Sequence, residues 1–201
     1  MPSHQEQVRK KLKRILLIWL FARDAYYFAE YFHNPDTHEE LNYIENSRDN
    51  HHMDFIRHLM YRTLVIELSK LFCNRNSDKF NLFKFIAALK PGGFHRTLEV
   101  DPNILEQWEQ QLKSHSSTIE KIISLRDEYY AHEDDGATNL ALLDVGFKQI
   151  WELLEIVWDI IKTIENVVLD THIEDCISTF SQRESFHFLR ILSEVDKKRT
   201  G

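Results

Sequence analysis

The sequence is poor in residues that break helices. Its 201 residues include only five glycines and four prolines. So few turn-forming residues over this length exclude an architecture of many short strands and favour long helices. Hydrophobic residues make up 43% and charged residues 28%, which is typical of a globular protein long enough for one domain with a sizeable core.

Cysteine and long apolar runs are also scarce. Cys73 and Cys176 lie far apart and form no CxxC pair, which excludes a disulfide framework or a zinc knuckle. The longest apolar run, residues 15–22, is too short to span a bilayer. Arg23 and Asp24 follow it without a cleavage site, so a signal peptide is not indicated. We expect a cytoplasmic protein without membrane association.

Positive charge is sparse overall but locally concentrated. The net charge of −7 argues against a uniformly basic nucleic-acid-binding protein. Two basic clusters nevertheless occur, Arg9, Lys10, Lys11, Lys13 and Arg14 near the start and Lys197, Lys198 and Arg199 near the end. Each is interpreted as a solvated helix start or tail, or alternatively as a local patch that contacts phosphates.

Motifs for the common cofactors are missing. No GxGxxG, P-loop, HExxH or GxSxG occurs, so nothing supports a nucleotide cofactor, a zinc protease or a serine hydrolase. His51, Asp54 and His58 share a helical face at spacings that metals use, but no fourth ligand is evident. A polar helix face explains these three residues, and we expect neither a metal nor a cofactor.

Apolar residues recur at three- and four-residue steps along most of the chain, which predicts helices. Thr37 with Glu40 reads as a capping box, and Asp101 with Pro102 as a helix start. After Asp101 the apolar stripe stays in phase, so one long helix is predicted that ends around residues 131–136. The alternative is that Ser117 and Glu120 cap a new helix. The expected helices are residues 5–32, a stretch opened by Thr37, residues 52–73, 79–90, 102 to about 131–136, 144–168 and one opened by residues 181–184.

These helices predict a single all-α domain, a bundle of about five to seven helices. Residues 1–170 are expected to form the bundle, and residues 171–201 a C-terminal helical extension that is not a separate domain. The segment 144–168 has an unusually broad apolar face. A face of that width predicts burial against a core and against a dimer partner.

The stretch SLRDEYYAHEDDG, residues 124–136, carries the candidate site. Arg126 lies on an apolar helical stripe, where a charge requires a partner or a function. His132 follows after five residues, and an arginine followed by a histidine after four to six residues is expected by chance roughly twice in such a composition. On an ideal helix the two side chains point about 120° apart. They converge if the helix ends before His132, or if two chains pool their residues at a symmetric interface.

The residues alone leave a second interpretation open. Arg126 can pair with carboxylates at the end of its helix, and His132 suits a negative helix terminus. The run Glu133-Asp134-Asp135 supplies such carboxylates and places negative charge beside the motif. Ion-pair networks of this kind often mimic catalytic sites.

The segment LRDEYYAH resembles the signature of the HEPN superfamily, an arginine, a polar residue, a short spacer and a histidine late in a long helix. The sequence before it, RHLMYRTLVIELSKLFCNRNSDKFNLFKFIAAL, and the sequence after it, LLDVGFKQIWELLEIVWDIIKTI, resemble the AbiU-like branch, which is linked to bacterial abortive infection. The resemblance covers most of residues 5–170.

The resemblance implies a homodimer with facing motifs and, in many members, metal-independent endoribonuclease activity within a prokaryotic defence or toxin-antitoxin system. His132 would act as acid or base, Arg126 would hold the RNA phosphate, and Asp127 would orient one of them. A further partner would be an antitoxin or another protein. The alternative is a non-catalytic HEPN-like interaction module that binds a protein or nucleic acid.

Overall fold

The computed structural model describes residues 3–74, 80–130, 145–171 and 188–200. Its regular secondary structure is entirely helical in these ranges, which confirms the predicted all-α class. Two π-helices, Leu125–Tyr130 and Ile164–Val168, directly follow α-helices, and Arg96–Leu98 is a 3-10 turn. The α-helices of these ranges are α1 (His4–His33), α2 (His38–Asn46), α3 (Asn50–Phe72), α4 (Leu82–Leu89), α5 (Pro102–Ser114), α6 (Ser116–Ser124), α7 (Phe147–Thr163) and α8 (Phe188–Thr200).

Two helix starts agree with the sequence prediction. Thr37 and Glu40 form a full capping box, in which the Glu40 amide donates to Thr37 Oγ1 at 3.2 Å and the Thr37 amide donates to Glu40 Oε2 at 3.0 Å. Asp101 caps α5 through an amide of Asn103 at 2.9 Å, with Pro102 at the first helical position. Both caps satisfy backbone donors that a helix start leaves without partners.

The prediction of one long helix after Asp101 is wrong, because α5 ends at Ser114 and α6 begins at Ser116. Ser114 Oγ donates to the carbonyl of Gln111 at 2.7 Å, and His115 Nδ1 lies 3.0 Å from the same oxygen. Side chains that bond to nearby carbonyls compete with the helical ladder. This break helps to raise the number of α-helices in the described ranges to eight, above the predicted five to seven.

The chain divides into two compact units, of which unit 1 comprises residues 1–22 and 65–175. Within it α5 packs against α4, α6 and α7. Leu153, Ile156 and Ile160 on the wide apolar face of α7 are buried inside this unit, whereas Val167 in the π-helix that follows is 62% exposed. The breadth of that face therefore does not by itself require a second chain. The fully buried core of the unit includes Val8, Leu12, Ile15, Leu68, Leu71, Phe85, Leu112, Ile122, Leu153, Val157 and Ile161.

A tryptophan pair joins α1 to α7 in unit 1. Trp19 is 6% exposed, and its indole Nε1 donates to the carbonyl of Leu154 at 2.8 Å. Its ring stacks on that of Trp158, with centroids 4.6 Å apart and planes inclined by 17°. Trp19 thus combines a large buried area with a satisfied polar group, the arrangement in which a buried tryptophan stabilises most.

Unit 2 comprises residues 23–64 and 176–201. Its core is formed largely by aromatic side chains of α1 and α2, and Tyr31 donates to Glu40 Oε1 at 3.1 Å within it. Helix α8, the described part of the predicted C-terminal extension, packs against α2 and contributes Leu192 to this core. The predicted helix start at residues 181–184 lies outside the described residues.

A histidine pair in unit 1 makes its stability sensitive to pH. His95 is 7% exposed, and its Nδ1 lies 3.2 Å from Nδ1 of His4. Burial, and then the neighbouring charges of His4 and Lys11, lower the pKa of His95. In the unfolded chain a histidine has a pKa of about 6.5, whereas in the folded chain His95 takes up its proton only at a lower pH. Stability should therefore fall as the pH decreases through 6.5.

This prediction can be checked by urea unfolding of the wild type and of His95→Gln between pH 7.5 and 5. Glutamine keeps a hydrogen-bonding group in place of the imidazole but does not titrate. We expect the variant to lose less stability on acidification than the wild type, because glutamine at this position takes up no proton when the chain unfolds. Equal pH slopes for the two proteins would show that His95 does not contribute.

Candidate functional site

The candidate motif begins in the π-helix Leu125–Tyr130, which directly follows α6. A π-helix closes its hydrogen bonds between residues i and i+5, so each turn holds an additional residue. Such turns are rare and occur frequently at functional sites. Arg126 and Asp127 lie at the second and third positions of this segment, and the wider turn determines where their side chains point.

The guanidinium of Arg126 is held by the carboxylate that follows it. Arg126 Nε donates to Asp127 Oδ1 at 2.7 Å, and Nη2 lies 2.6 Å from the same oxygen. The Arg126 side chain is 16% exposed. A charge at this depth is costly without a partner, and Asp127 supplies one from the adjacent position of the chain.

A second contact reaches Arg126 from the end of α3. Arg126 Nη2 donates to Cys73 Sγ at 3.3 Å, and Cys73 itself is 2% exposed. The carbonyl of Cys73 accepts from Asn81 Nδ2 at 2.6 Å, and that of Phe72 accepts from the same nitrogen at 2.9 Å. Asn81 Oδ1 also caps α4 by accepting from the Lys84 amide at 2.9 Å. The buried Asn81 therefore fixes the position of the thiol that contacts Arg126.

These contacts also fix the charge of Arg126. Burial alone lowers the pKa of Arg126, but hydrogen bonds to Asp127 and Cys73 and the negative charge of Asp127 outweigh it, and the net pKa is raised. The guanidinium is therefore a permanent cation. An arginine offers five N–H donors in a planar fork. Within the described ranges the partners of Arg126 occupy Nε and Nη2, and none of them bonds Nη1. The N–H groups of Nη1 are the donors that these contacts leave for a phosphate oxygen.

The sequence-predicted site is thus placed in part. Arg126 and Asp127 are in direct contact, whereas His132 and the acidic residues 133–135 lie outside the described residues. Sequence reasoning missed Cys73 and Asn81. Cys73 is 53 positions from Arg126 and stands in no motif, so no local signal pointed to this contact.

The arginine–aspartate pair has a counterpart elsewhere in the chain. The pattern R-D-x-Y-Y occurs at residues 23–27 and again at 126–130. Arg23 Nη2 donates to Asp24 Oδ1 at 3.1 Å, and Arg23 is 7% exposed. Five residues are too few to establish an internal repeat, but Arg23 offers a matched position for testing substitutions of Arg126.

The other residues singled out in the sequence form no comparable site. His51, Asp54 and His58 are exposed on α3, and no group of three or more potential ligands is arranged for a metal in the described part of the chain. Among the helices of the described residues, none has the length and apolar character needed to cross a membrane.

Comparison with known proteins supports the resemblance seen in the sequence. A model of the HEPN family described as AbiU2 matches residues 3–188, which extends beyond the expected range of 5–170. No curated protein and no solved structure matches the chain. Since the match covers most of the sequence, the chain belongs to the AbiU2 family of the HEPN superfamily, a group of domains related to abortive infection.

Proposed function

We propose that the protein is a metal-independent endoribonuclease that acts as a dimer with a composite Arg126–His132 site. The observation that carries this proposal is the environment of Arg126. Its guanidinium is charged, is anchored by Asp127 and Cys73 through Nε and Nη2, and has in Nη1 a nitrogen that the described partners leave to a ligand. An anchored cation of this kind stabilises a phosphate during reaction better than a loose one, because it needs no reorganisation.

In the proposed reaction His132 removes the proton from a ribose 2′-hydroxyl. The 2′-oxygen forms a bond to the adjacent phosphorus, the bond to the 5′-oxygen breaks, and the leaving oxygen takes up a proton. The products are a 2′,3′-cyclic phosphate and a 5′-hydroxyl. Arg126 stabilises the negative charge that develops on the phosphate oxygens, and Asp127 positions Arg126. A histidine titrates near neutrality, which suits both proton transfers.

A dimer supplies what one chain lacks. The reaction needs a base and an acid, and two facing motifs provide two copies of His132. At a two-fold axis, Arg126 of one chain can act with His132 of the other. A single helix then does not have to direct both side chains to the same atom. The broader role that we propose is in a prokaryotic defence or toxin-antitoxin system, with an antitoxin or another protein that binds the domain.

The second candidate is a non-catalytic interaction module of the same fold. Asp127 neutralises Arg126 within its own chain, as expected of a structural ion pair. Fold alone does not distinguish the two candidates, because one fold supports many functions.

RNA cleavage in excess EDTA tests the proposal. Wild-type protein should cleave unmodified RNA, but should not cleave the same sequence carrying 2′-O-methyl groups, because the attacking hydroxyl is blocked. His132→Ala should cleave at least about 10²-fold more slowly, the usual contribution of a positioned base. Cleavage by both proteins would indicate a contaminant or another site. If neither cleaves structured or single-stranded RNA, the interaction module is the better description.

A further inference from the structure

The solvent-exposed face of α1 carries a compact group of cations. Arg9, Lys10, Lys13 and Arg14 are all exposed. Arg9 and Lys13 stand four residues apart, as do Lys10 and Arg14, so the four side chains form two adjacent columns on the helix. At about 100° per residue, this group lies opposite the buried stripe of Val8, Leu12 and Ile15. We refer to these four residues as the cationic face.

The fifth basic residue of the cluster has a different role. Lys11 points towards the protein, and its Nζ lies 5.1 Å from the centre of the Phe85 ring. Burial, and then the charge of Lys84, lower the pKa of Lys11. The basic cluster of the sequence is therefore divided by the helix into one packed lysine and four solvent-facing cations.

The four cations are not neutralised by their described surroundings. Within the part of the chain that the structure describes, none of them forms an ion pair. Glu6, the acidic residue nearest in sequence, accepts from the Ser3 amide at 2.7 Å at the start of the helix. Like charges four residues apart slightly destabilise a helix. A surface that retains this cost is well suited to an anionic partner.

Apolar side chains continue the same face. Leu17 is 45% exposed and Phe21 is 64% exposed. They follow Arg14 at steps of three and four residues, so both extend the line of the cationic face along α1. The distance from Arg9 to Phe21 along the helix is about 18 Å. An exposed phenylalanine next to a row of cations is the combination used by proteins that bind single-stranded nucleic acids.

We propose that the face of α1 from Arg9 to Phe21 binds single-stranded RNA, with backbone phosphates on the cationic face and a base stacked on Phe21. This inference rests on the proposed ribonuclease function and identifies the form of its substrate. A single strand is required because a base in a duplex is already stacked on its neighbours, whereas an unpaired base is free to stack on an aromatic ring.

Two other partners fit the same surface less well. An amphipathic helix that binds a membrane inserts a broad apolar face, but the apolar face of α1 is buried within unit 1 and only Leu17 and Phe21 remain. Protein interfaces are depleted in lysine relative to other surface, whereas phosphate contacts select lysine and arginine. Of the three partners, RNA therefore fits best, because it can contact both the four cations and the exposed apolar side chains.

The test is binding of a fluorescein-labelled, single-stranded 2′-O-methyl RNA to the full chain, followed by anisotropy at several salt concentrations. Blocked 2′-hydroxyls prevent cleavage, so binding is measured separately from chemistry. Four phosphate contacts predict a slope of log K against log salt of about −3. Lys10→Glu with Arg14→Glu should weaken binding at least about tenfold and make this slope shallower. Phe21→Ala should weaken binding by about tenfold without changing the slope.

A matched control distinguishes the effect of the cationic face on RNA binding from the effect of net charge. Lys113 and Lys148 are exposed lysines of the same unit, on α5 and α7. Lys113→Glu with Lys148→Glu changes the net charge by the same amount as the test pair. This control should bind the RNA within about twofold of the wild type, since long-range charge effects are screened at physiological salt.

The proposal is overturned if the Lys10 and Arg14 double variant binds as well as its control. It is also overturned if this variant loses binding to anionic phosphatidylserine vesicles, or loses self-association in sedimentation, while RNA binding is unchanged. Failure of the ribonuclease proposal is distinguishable. In that case unmodified RNA is not cleaved, although the 2′-O-methyl RNA still binds through the cationic face.

Discussion

An Arg126→Ala protein should cleave RNA about 10³-fold more slowly than the wild type at saturating RNA. The proposed role of Arg126 is to stabilise charge that is greatest in the transition state, and losing one preorganised donor or arginine typically costs 10² to 10³ or more. The effect should appear mainly in kcat, since the cationic face of α1 still binds RNA. Single-turnover cleavage in EDTA, measured at saturating protein, reports this rate directly.

Lysine at the same position distinguishes charge from geometry. Lysine keeps the positive charge but lacks the planar guanidinium. Only a guanidinium can contact Asp127 and Cys73 through two nitrogens and offer a third nitrogen to the phosphate. We therefore expect Arg126→Lys to recover only a small part of the lost rate. Recovery to the wild-type rate would mean that charge alone is sufficient and that the anchoring contacts are incidental.

Arg23 provides the matched control for these substitutions. It also pairs with the aspartate that follows it, through Nη2 at 3.1 Å, and it is buried. Arg23→Lys should leave cleavage within about threefold of the wild type once its thermal stability has been measured, because ordinary core effects do not alter the chemistry. An equal loss of rate at Arg23 and Arg126 would contradict a specific role for Arg126.

A Trp19→Ala protein should lose about 3–5 kcal/mol of unfolding free energy from unit 1. The substitution removes a nearly fully buried indole, its stacking on Trp158 and its hydrogen bond to Leu154. With an ordinary dependence on denaturant, the urea midpoint should fall by about 2 M. All four tryptophans of the chain belong to unit 1, so tryptophan fluorescence reports the unfolding of this unit.

Two further variants divide this loss into its parts. Trp19→Phe keeps an aromatic ring but removes the N–H donor, and should cost substantially less than Trp19→Ala. Leu17→Ala on the same helix is the control, because Leu17 is 45% exposed and its substitution should change stability by about 0.5 kcal/mol or less. A destabilisation of similar size at Leu17 and Trp19 would contradict burial of Trp19 as the cause of the effect, because alanine favours the helix at both positions.

The helices of this chain were predictable where local chemistry determines them. The capping box at Thr37 and the proline start at Pro102 involve residues close in sequence, and both occur as predicted. The break at His115 was considered only as the alternative in which Ser117 and Glu120 cap a new helix, because a one-residue interruption leaves the apolar stripe in phase. Nothing in the periodicity distinguishes a continuous helix from two helices separated by one residue.

The contact between Arg126 and Asp127 was predictable for a different reason. Arg126 and Asp127 are adjacent, so their pairing needs no knowledge of the fold. The contact between Arg126 and Cys73 depends on how α3 and the π-helix meet in unit 1, and Asn81 acts through a cap and two carbonyls of another helix. Tertiary contacts of this kind leave no pattern in a single sequence.

The π-helix at Leu125–Tyr130 gives this part of the chain an unusual tolerance to changes in length. Deleting Glu128 would let the segment return to an α-helix, so the deletion should cost little stability, unlike a deletion within α7. It would, however, shorten the spacing between Arg126 and His132 by one residue. Among related sequences, a one-residue alignment gap at this position would therefore mark proteins that keep the fold but have a shorter spacing between the arginine and the histidine.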